Sequence, residues 1–415
     1  MRAASWKTLA FVHCPTYWSL ISSAAVAGPP RFSIVTTLVA FFFICTVPGD
    51  AQTTPATITT YLSSLSSSSS SINVASAYNT TTFVGSGTGG YADGVGSSAK
   101  FSVVYLGGIA LDAAGNLIVG DQMNHRVRKV TPAGVVTTLA GSGIGAGGSG
   151  AYADGTGTSA SFYYANGVTL DSAGNAYLCD GGNHRIRMIT PGGSVTTFAG
   201  SGTAGWADGV GTTARFNFPD GITLDSSGNF YVGEETGSRV RKISPTGNVT
   251  TLAGSGVGAF ADGVGTAAAF NIAASVALDA AGNVFVADFS NRRVRKISPG
   301  GVVTTLAGSG SASSADGLGT AASFNGPAGI ALDSAGNAYV GDRDNFRVRL
   351  VRPSGMVTTL AGNGASGVTG GIGTAATFSK PTALTLDGAG NVYVLGNTPP
   401  SDIGDLCIGR HRSPA

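Results

Sequence analysis

The motif Leu-Asp-x-x-Gly-Asn occurs six times in this 415-residue chain, with its aspartates at Asp112, Asp171, Asp225, Asp279, Asp333 and Asp387. The last four intervals are 54 residues and the first is 59; the excess falls on a Gly-rich insertion around Gly143 to Gly150, and a separate local slippage sits near Tyr105. A fixed period of this length, with several short strand-like pieces in each unit, marks a repeating array of small sheets.

The third unit shows how the pieces divide. Gly221 to Asp225, Asn229 to Glu234, Arg239 to Ile243 and Val249 to Gly254 read GITLD, NFYVGE, RVRKI and VTTLAG. Each run is of strand length and rich in Val, Ile, Tyr or Thr. In D-x-x-G-N the Asp can bond its own backbone and the Gly can take positive φ, which reverses the chain. SPTGN, TPAGV and SPGGV use Pro to set a turn and Gly to release it. Four antiparallel strands make a blade, and six blades close a ring. The expected fold class is all-β, a six-bladed β-propeller of four-stranded antiparallel blades, preceded by a disordered or helical N-terminal leader.

The first VTTLAG-like strand begins at Thr80, before any inner strand, and no inner strand follows the sixth outer one. The N-terminal strand should therefore complete the last blade and remove the open sheet edges. That last blade is irregular. After Asn391 to Asn397 no RVRK run follows, and Ser401 stands where Arg is expected. Either DLCIGRHR supplies a poor third strand or the C-terminus is degenerate.

The domains expected are a signal sequence or membrane anchor over 1–51, a Ser/Thr-rich linker over 52–79, the propeller over 80–397 and an irregular tail over 398–415. Ser33 to Val47 are fifteen uncharged residues, short for a spanning helix and suited to an export signal. The long segment before it keeps a retained anchor as the rival. The protein is expected to be secreted or extracytoplasmic, either free or held at a membrane by its N-terminus, and monomeric. Four cysteines, Cys14, Cys45, Cys179 and Cys407, match no metal or disulfide spacing.

Charged residues are only 11% of the chain. Beyond residue 52 there are twenty-one bases and twenty-one acids. A neutral domain lacks the positive field that gathers nucleic acid, so no nucleic-acid partner is expected. Sixteen of those acids recur with the repeat, in LDxxGN turns, in ADGxGT loops and at the ends of second strands. An acid precedes an Arg by five residues in five units: Asp121 and Arg126, Asp180 and Arg185, Glu234 and Arg239, Asp288 and Arg293, Asp342 and Arg347. The spacing predicts one partly buried, bidentate ion pair per hairpin. The ADGxGT aspartates supply one carboxylate each, too few for calcium, and read as caps on their own loops.

The pattern GIALDxxGNxYVxDxxNxRVRKIxPxGxVTTLAG resembles the NHL-repeat family over about Thr80 to Asn397. Asn124 to Arg128, Asn183 to Arg187 and Asn345 to Arg349 look like the family's signature. The resemblance implies a six-bladed propeller. Most such proteins bind proteins or other ligands, and some bind RNA. A few similar propellers are lyases or lactonase-like enzymes that use metal ligands near the central channel. Fold alone does not choose among these.

An axial site would need breaks in the repeat. The residues before the inner strands are Gly107, Asn166, Asp220, Ala274, Ala328 and Thr382. Asn166 and Asp220 are candidate ligands at the channel mouth, with Glu234 and Glu235 as the other irregular acids. His125 and His184 occupy equivalent, variable turn positions that read as exposed, and no zinc centre or Ser-His-Asp set can be assembled. The expected function is an exported binding scaffold for a protein or small ligand, with no catalytic residues and no cofactor. The alternative is a metal-dependent lyase or lactonase-like hydrolase, which alone would need calcium or zinc.

Overall fold

The computed structural model describes residues 78–104, 106–143 and 150–396 and the backbone of 409–410. The expected leader, linker residues 52–77 and most of the tail lie outside the described residues. All regular structure among the described residues is β-strand or a three-residue 3-10 turn. No helix among them is long and apolar enough to cross a membrane.

Five sheets are complete, and each has five strands. In the fourth unit the inner strand Ala273–Leu278 pairs with Val284–Asp288, then Arg293–Ile297, then Val302–Ala307. A two-residue strand, Gly263–Val264, lies outside them and is antiparallel to Val302–Ala307. The turns form as their chemistry dictates. Asp279 Oδ1 accepts from the N–H groups of Ala281 and Asn283, Oδ2 accepts from Asn283 Nδ2, and Gly282 sits at φ +78°.

The expectation of six four-stranded blades is corrected on both counts. The fifth strand is the Gly-Val of the ADGxGT loop, too short to show the alternation by which a strand is read. The sixth position holds two partial sheets instead of a complete one. Ala383–Leu386 pairs with Val392–Leu395, which pairs with Gly409–Arg410. Separately, the N-terminal Asn79–Thr80 pairs with Gly371–Ile372. The segment DLCIGRHR thus does supply a third strand.

The cores lie between neighbouring sheets. Ala110, Ile118 and Val127 of the first unit pack with Phe162, Val168 and Leu178 of the second. Val103, Ile109 and Val119 pack with Ala383, Tyr393 and Leu395, which joins the first unit to the last. Val84 enters that core, and Phe83 meets Tyr393 edge-on at 6.4 Å. Phe101, Phe162, Phe216, Phe270 and Phe324, one per complete sheet, are wholly buried. Truncating one to alanine costs about 3–5 kcal/mol.

Candidate functional site

The recurring charges assemble into five triads, each a buried arginine between one buried and one partly exposed acid, with a different arginine from the one the five-residue spacing selects. In the first unit the Arg128 Nη1 is 2.7 Å from Asp121 Oδ2, and its Nη2 is 2.6 Å from Asp93 Oδ1. The same contacts join Arg187 to Asp180 and Asp154, Arg241 to Glu234 and Asp208, Arg295 to Asp288 and Asp262, and Arg349 to Asp342 and Asp316. The acid and arginine are therefore seven residues apart. Both side chains of that pair are fully enclosed, so each neutralises a charge that water cannot reach. Burial pushes Asp121, Asp180 and Asp288 up to about 6 and Glu234 up to about 7, with the guanidinium groups and N–H donors pulling back.

The ADGxGT aspartates are likewise corrected. Asp93 accepts from Arg128 and from the N–H of Thr138 on the neighbouring outer strand, so it ties two strands together and does not cap its own loop. Arg126, Arg185, Arg239, Arg293 and Arg347 form none of the predicted ion pairs. Arg126 donates to the carbonyls of Asn124 and Ser142, with its guanidinium 3.8 Å from the centre of the Tyr91 ring.

Two irregular units follow from the same geometry. In the third, Glu replaces Asp and Gly237 replaces the Asn that elsewhere donates to the acid, as Asn124 does to Asp121. A Cβ on Gly237 would lie 2.5 Å from Glu234 Oε2, so the longer acid fills the space of the missing amide. Glu234 Oε1 accepts from Arg241 and from the N–H of Asn217, while its Oε2 is enclosed without a partner. In the sixth, Gly370 and Gly396 stand where the two acids would be, and Gly409 faces Val394 as Arg349 faces Val340. All three members of the triad are absent together.

Asn166 and Asp220 are buried at the same register of neighbouring inner strands. Asn166 Oδ1 accepts from Gln122 Nε2 at 3.1 Å, while its Nδ2 is enclosed without a partner. Gln122 in turn accepts from the N–H of Val104. Asp220 Oδ2 is also enclosed without a partner. Burial, with the charge of Glu235 added, holds its carboxyl well above the usual range, and burial raises Glu235 too. Sequence reasoning missed Gln122. Its signal is positional: it follows Asp121 as Gly181, Glu235, Phe289 and Arg343 follow the acids of the other complete units.

Below this end runs a cavity of about 320 Å³, lined only by uncharged residues of the inner strands and of the segments just before them. Leu106 packs against Ala274 of the fourth unit and Ala328 of the fifth. It reaches them because Phe101 precedes Asp112 by eleven residues, against nine from Phe162 to Asp171. Arg343 donates to the carbonyl of Val104 and steadies the same segment. His125 and His184 are not exposed turn residues. His125 is buried, and its Nδ1 accepts from the N–H of Tyr164; His184 Nδ1 accepts from Phe218 N–H. Both sit in the left-handed region, as do Ser238, Arg292 and Phe346 at equivalent positions. The histidines join blades, and burial lowers the pKa of His184.

Antiparallel sheets packed face to face around an uncharged axial cavity define a β-propeller. The family model described as NHL repeat matches residues 162–187 and 324–349, each running from a core Phe to the triad Arg. These two segments are NHL repeats. The chain is 29% identical over 283 residues to Protein SUPPRESSOR OF QUENCHING 1, chloroplastic, of Arabidopsis thaliana, covering 64% of this chain and 26% of that protein. It is 29% identical over 303 residues to NHL repeat-containing protein 2 of Bos taurus, covering 65% and 41%. The chain thus spans well under half the length of these relatives.

Among solved structures, a protein of unknown function from Bacteroides thetaiotaomicron matches at TM-score 0.60 and 20% identity over 81% of this chain and 76% of its own. An auxiliary nutrient binding protein from that organism matches at TM-score 0.56 and 16% identity, covering 76% and 73%. A gluconolactonase from Xanthomonas campestris matches at TM-score 0.50 and 15% identity, covering 76% and 88%. At these identities the likeness carries the fold alone.

Proposed function

We propose that this chain is an exported, monomeric binding scaffold that recognises its ligand through the loops between the outer strand of one unit and the inner strand of the next. One observation carries the reading. The repeated arginines and acids are consumed in holding the blades, so the loops are the part left free to vary. Export is supported by the uncharged segment from Ser33 to Val47, and a nutrient-binding protein shares the fold. The test is exchange of the loop Ser201–Ala207 for the equivalent loop of the fifth unit. Ligand capture should be lost while thermal unfolding stays within a few degrees. Capture unchanged by loop exchange overturns the reading.

The Asp220–Glu235 pair favours a second reading, an axial site holding a cation for lyase or lactonase-like chemistry. A buried carboxyl beside a half-buried one of like charge is better accommodated by a divalent ion. Asn166 Oδ1 already accepts from Gln122, so its amide would have to turn to join them. Metal analysis after dialysis tests it. Stoichiometric calcium or zinc that disappears in Asp220→Asn supports the axial site, and metal-free wild-type protein removes it.

A further inference from the structure

We infer that the outer rim of the first four units is a platform for a neutral polysaccharide chain. This names the ligand class of the loop-borne binding proposed above and rests on it. Tyr91, Tyr152, Trp206 and Phe260 occupy the position before Ala-Asp-Gly in four consecutive units. All four are exposed, at 44–51%. Arginines cover part of each ring: Arg126, Arg185 and Arg293 at 3.8 Å from the ring centre, with Arg128, Arg187 and Arg295 at 4.8–4.9 Å from the same three rings, and Arg239 at 4.8 Å from Trp206. Three of the rings are pinned by an outer-strand threonine. Tyr91 OH is 3.1 Å from Thr138 Oγ1, Tyr152 OH is 2.9 Å from Thr197 Oγ1, and Trp206 Nε1 donates to Thr251 Oγ1 at 2.8 Å.

The frame does not require these rings. Ser314 replaces the aromatic in the fifth unit, yet Arg349 keeps both acids and Arg347 keeps its two carbonyls. Four rigid, half-exposed aromatics that the blade can dispense with are a recognition feature. Beside each ring lies the partly exposed carboxylate of Asp93, Asp154, Asp208 or Asp262, its side chain 42–46% accessible. An apolar ring face next to carboxylate and hydroxyl oxygens suits a sugar, which offers C–H groups on one face and hydroxyl donors at its edge. Each site sets two arginines against two carboxylates, so the platform favours neither a polyanion nor a polycation. One such site per blade fits a ligand that itself repeats, and weak single contacts gain strength when several act on one chain.

Affinity electrophoresis of the full chain through gels holding laminarin, xylan, galactomannan or dextran, with alginate as the anionic control, tests this. At least one neutral polymer should retard the wild type and quench Trp206. Trp206→Ala should weaken binding about tenfold, or about 1.4 kcal/mol. Replacing Tyr91, Tyr152, Trp206 and Phe260 together by Ser, the residue of the fifth unit, should weaken it more than about a hundredfold. Thermal unfolding of both variants reports that they fold. The inference is overturned if no neutral polymer is retained, if the fourfold variant binds like wild type, or if only alginate binds and salt abolishes it. A protein partner whose capture depends on the loops, with no glycan retained, would sink this inference and leave the scaffold reading standing.

Discussion

Replacing Arg295 by methionine should damage the fourth unit far more than the same change at Arg293, two residues earlier. Arg295 donates to Asp288 Oδ2 at 2.7 Å, Asp262 Oδ1 at 2.6 Å, and the carbonyls of Ala269 and Ala261 at 3.1 and 2.7 Å. Methionine occupies much of the same volume and leaves Asp288 enclosed, with only Asn271 N–H and Asn291 Nδ2 as donors. Asp262 is partly exposed and can turn to water. The loss therefore resides at Asp288, and removing one partner of an enclosed pair costs about 3–5 kcal/mol. Arg293→Met loses two carbonyl contacts and a stack on Phe260, about 1–2 kcal/mol. Urea unfolding followed by circular dichroism separates them. With a slope of about 3 kcal/mol/M the first midpoint falls by about 1 M or more and the second by about half that or less. Adding Asp288→Asn to Arg295→Met removes the stranded charge and should recover part of the loss. Equal losses at the two arginines, or no recovery, would refute the argument.

Asp220→Asn should stabilise the chain, in a pH-dependent way. The folded state holds this carboxyl protonated to higher pH than the unfolded state does, so ionisation costs folded stability as pH rises above the usual carboxylate range. Urea midpoints of the two proteins should converge near pH 4 and separate at pH 8, with asparagine higher by about 1–3 kcal/mol. Gly396→Asp, which places an acid in the sixth unit where Gly409 faces Val394 at the arginine register, should lower the thermal midpoint instead of completing a triad, because its Cβ would lie 2.6 Å from the Ser379 carbonyl. Cys179 is buried and its thiol is pushed well above its ordinary value by burial and neighbouring carboxylates. Peptide mapping after maleimide labelling should find it unmodified until the protein is unfolded.

The repeat was legible because turn chemistry is local. Asp279, Asn283 and Gly282 act within five residues, and the motif announces itself wherever it falls. The arginine partnership was legible only in composition. Five residues of spacing brought Asp288 opposite Arg293 across the hairpin, and these two are indeed backbone partners. Which side chain turns inward depends on what encloses it, and the carbonyls of Ala261 and Ala269 come from a neighbouring segment some thirty residues away. The mouth was half legible. Asn166 and Asp220 stood out as exceptions to a bland column, but Gln122 and Leu106 act across unit boundaries. The joint loss of three triad members in the sixth unit was in the sequence as Gly370, Gly396 and Gly409. It could be aligned only once the register of the last strand was known.

The glycines of that last unit have a kinetic meaning. Five sheets are each clamped by an enclosed arginine, and disrupting any of them strands a charge. The sixth position has no such clamp among the described residues, and its outermost pairing is contributed by Asn79–Thr80. Opening there exposes apolar surface and backbone but separates no ion pair among the described residues, so it should be the lowest gate in the ring. Transient excursions of the native protein should begin at this join, where Asn79–Thr80 can part from Gly371–Ile372 while the five clamped sheets stay assembled.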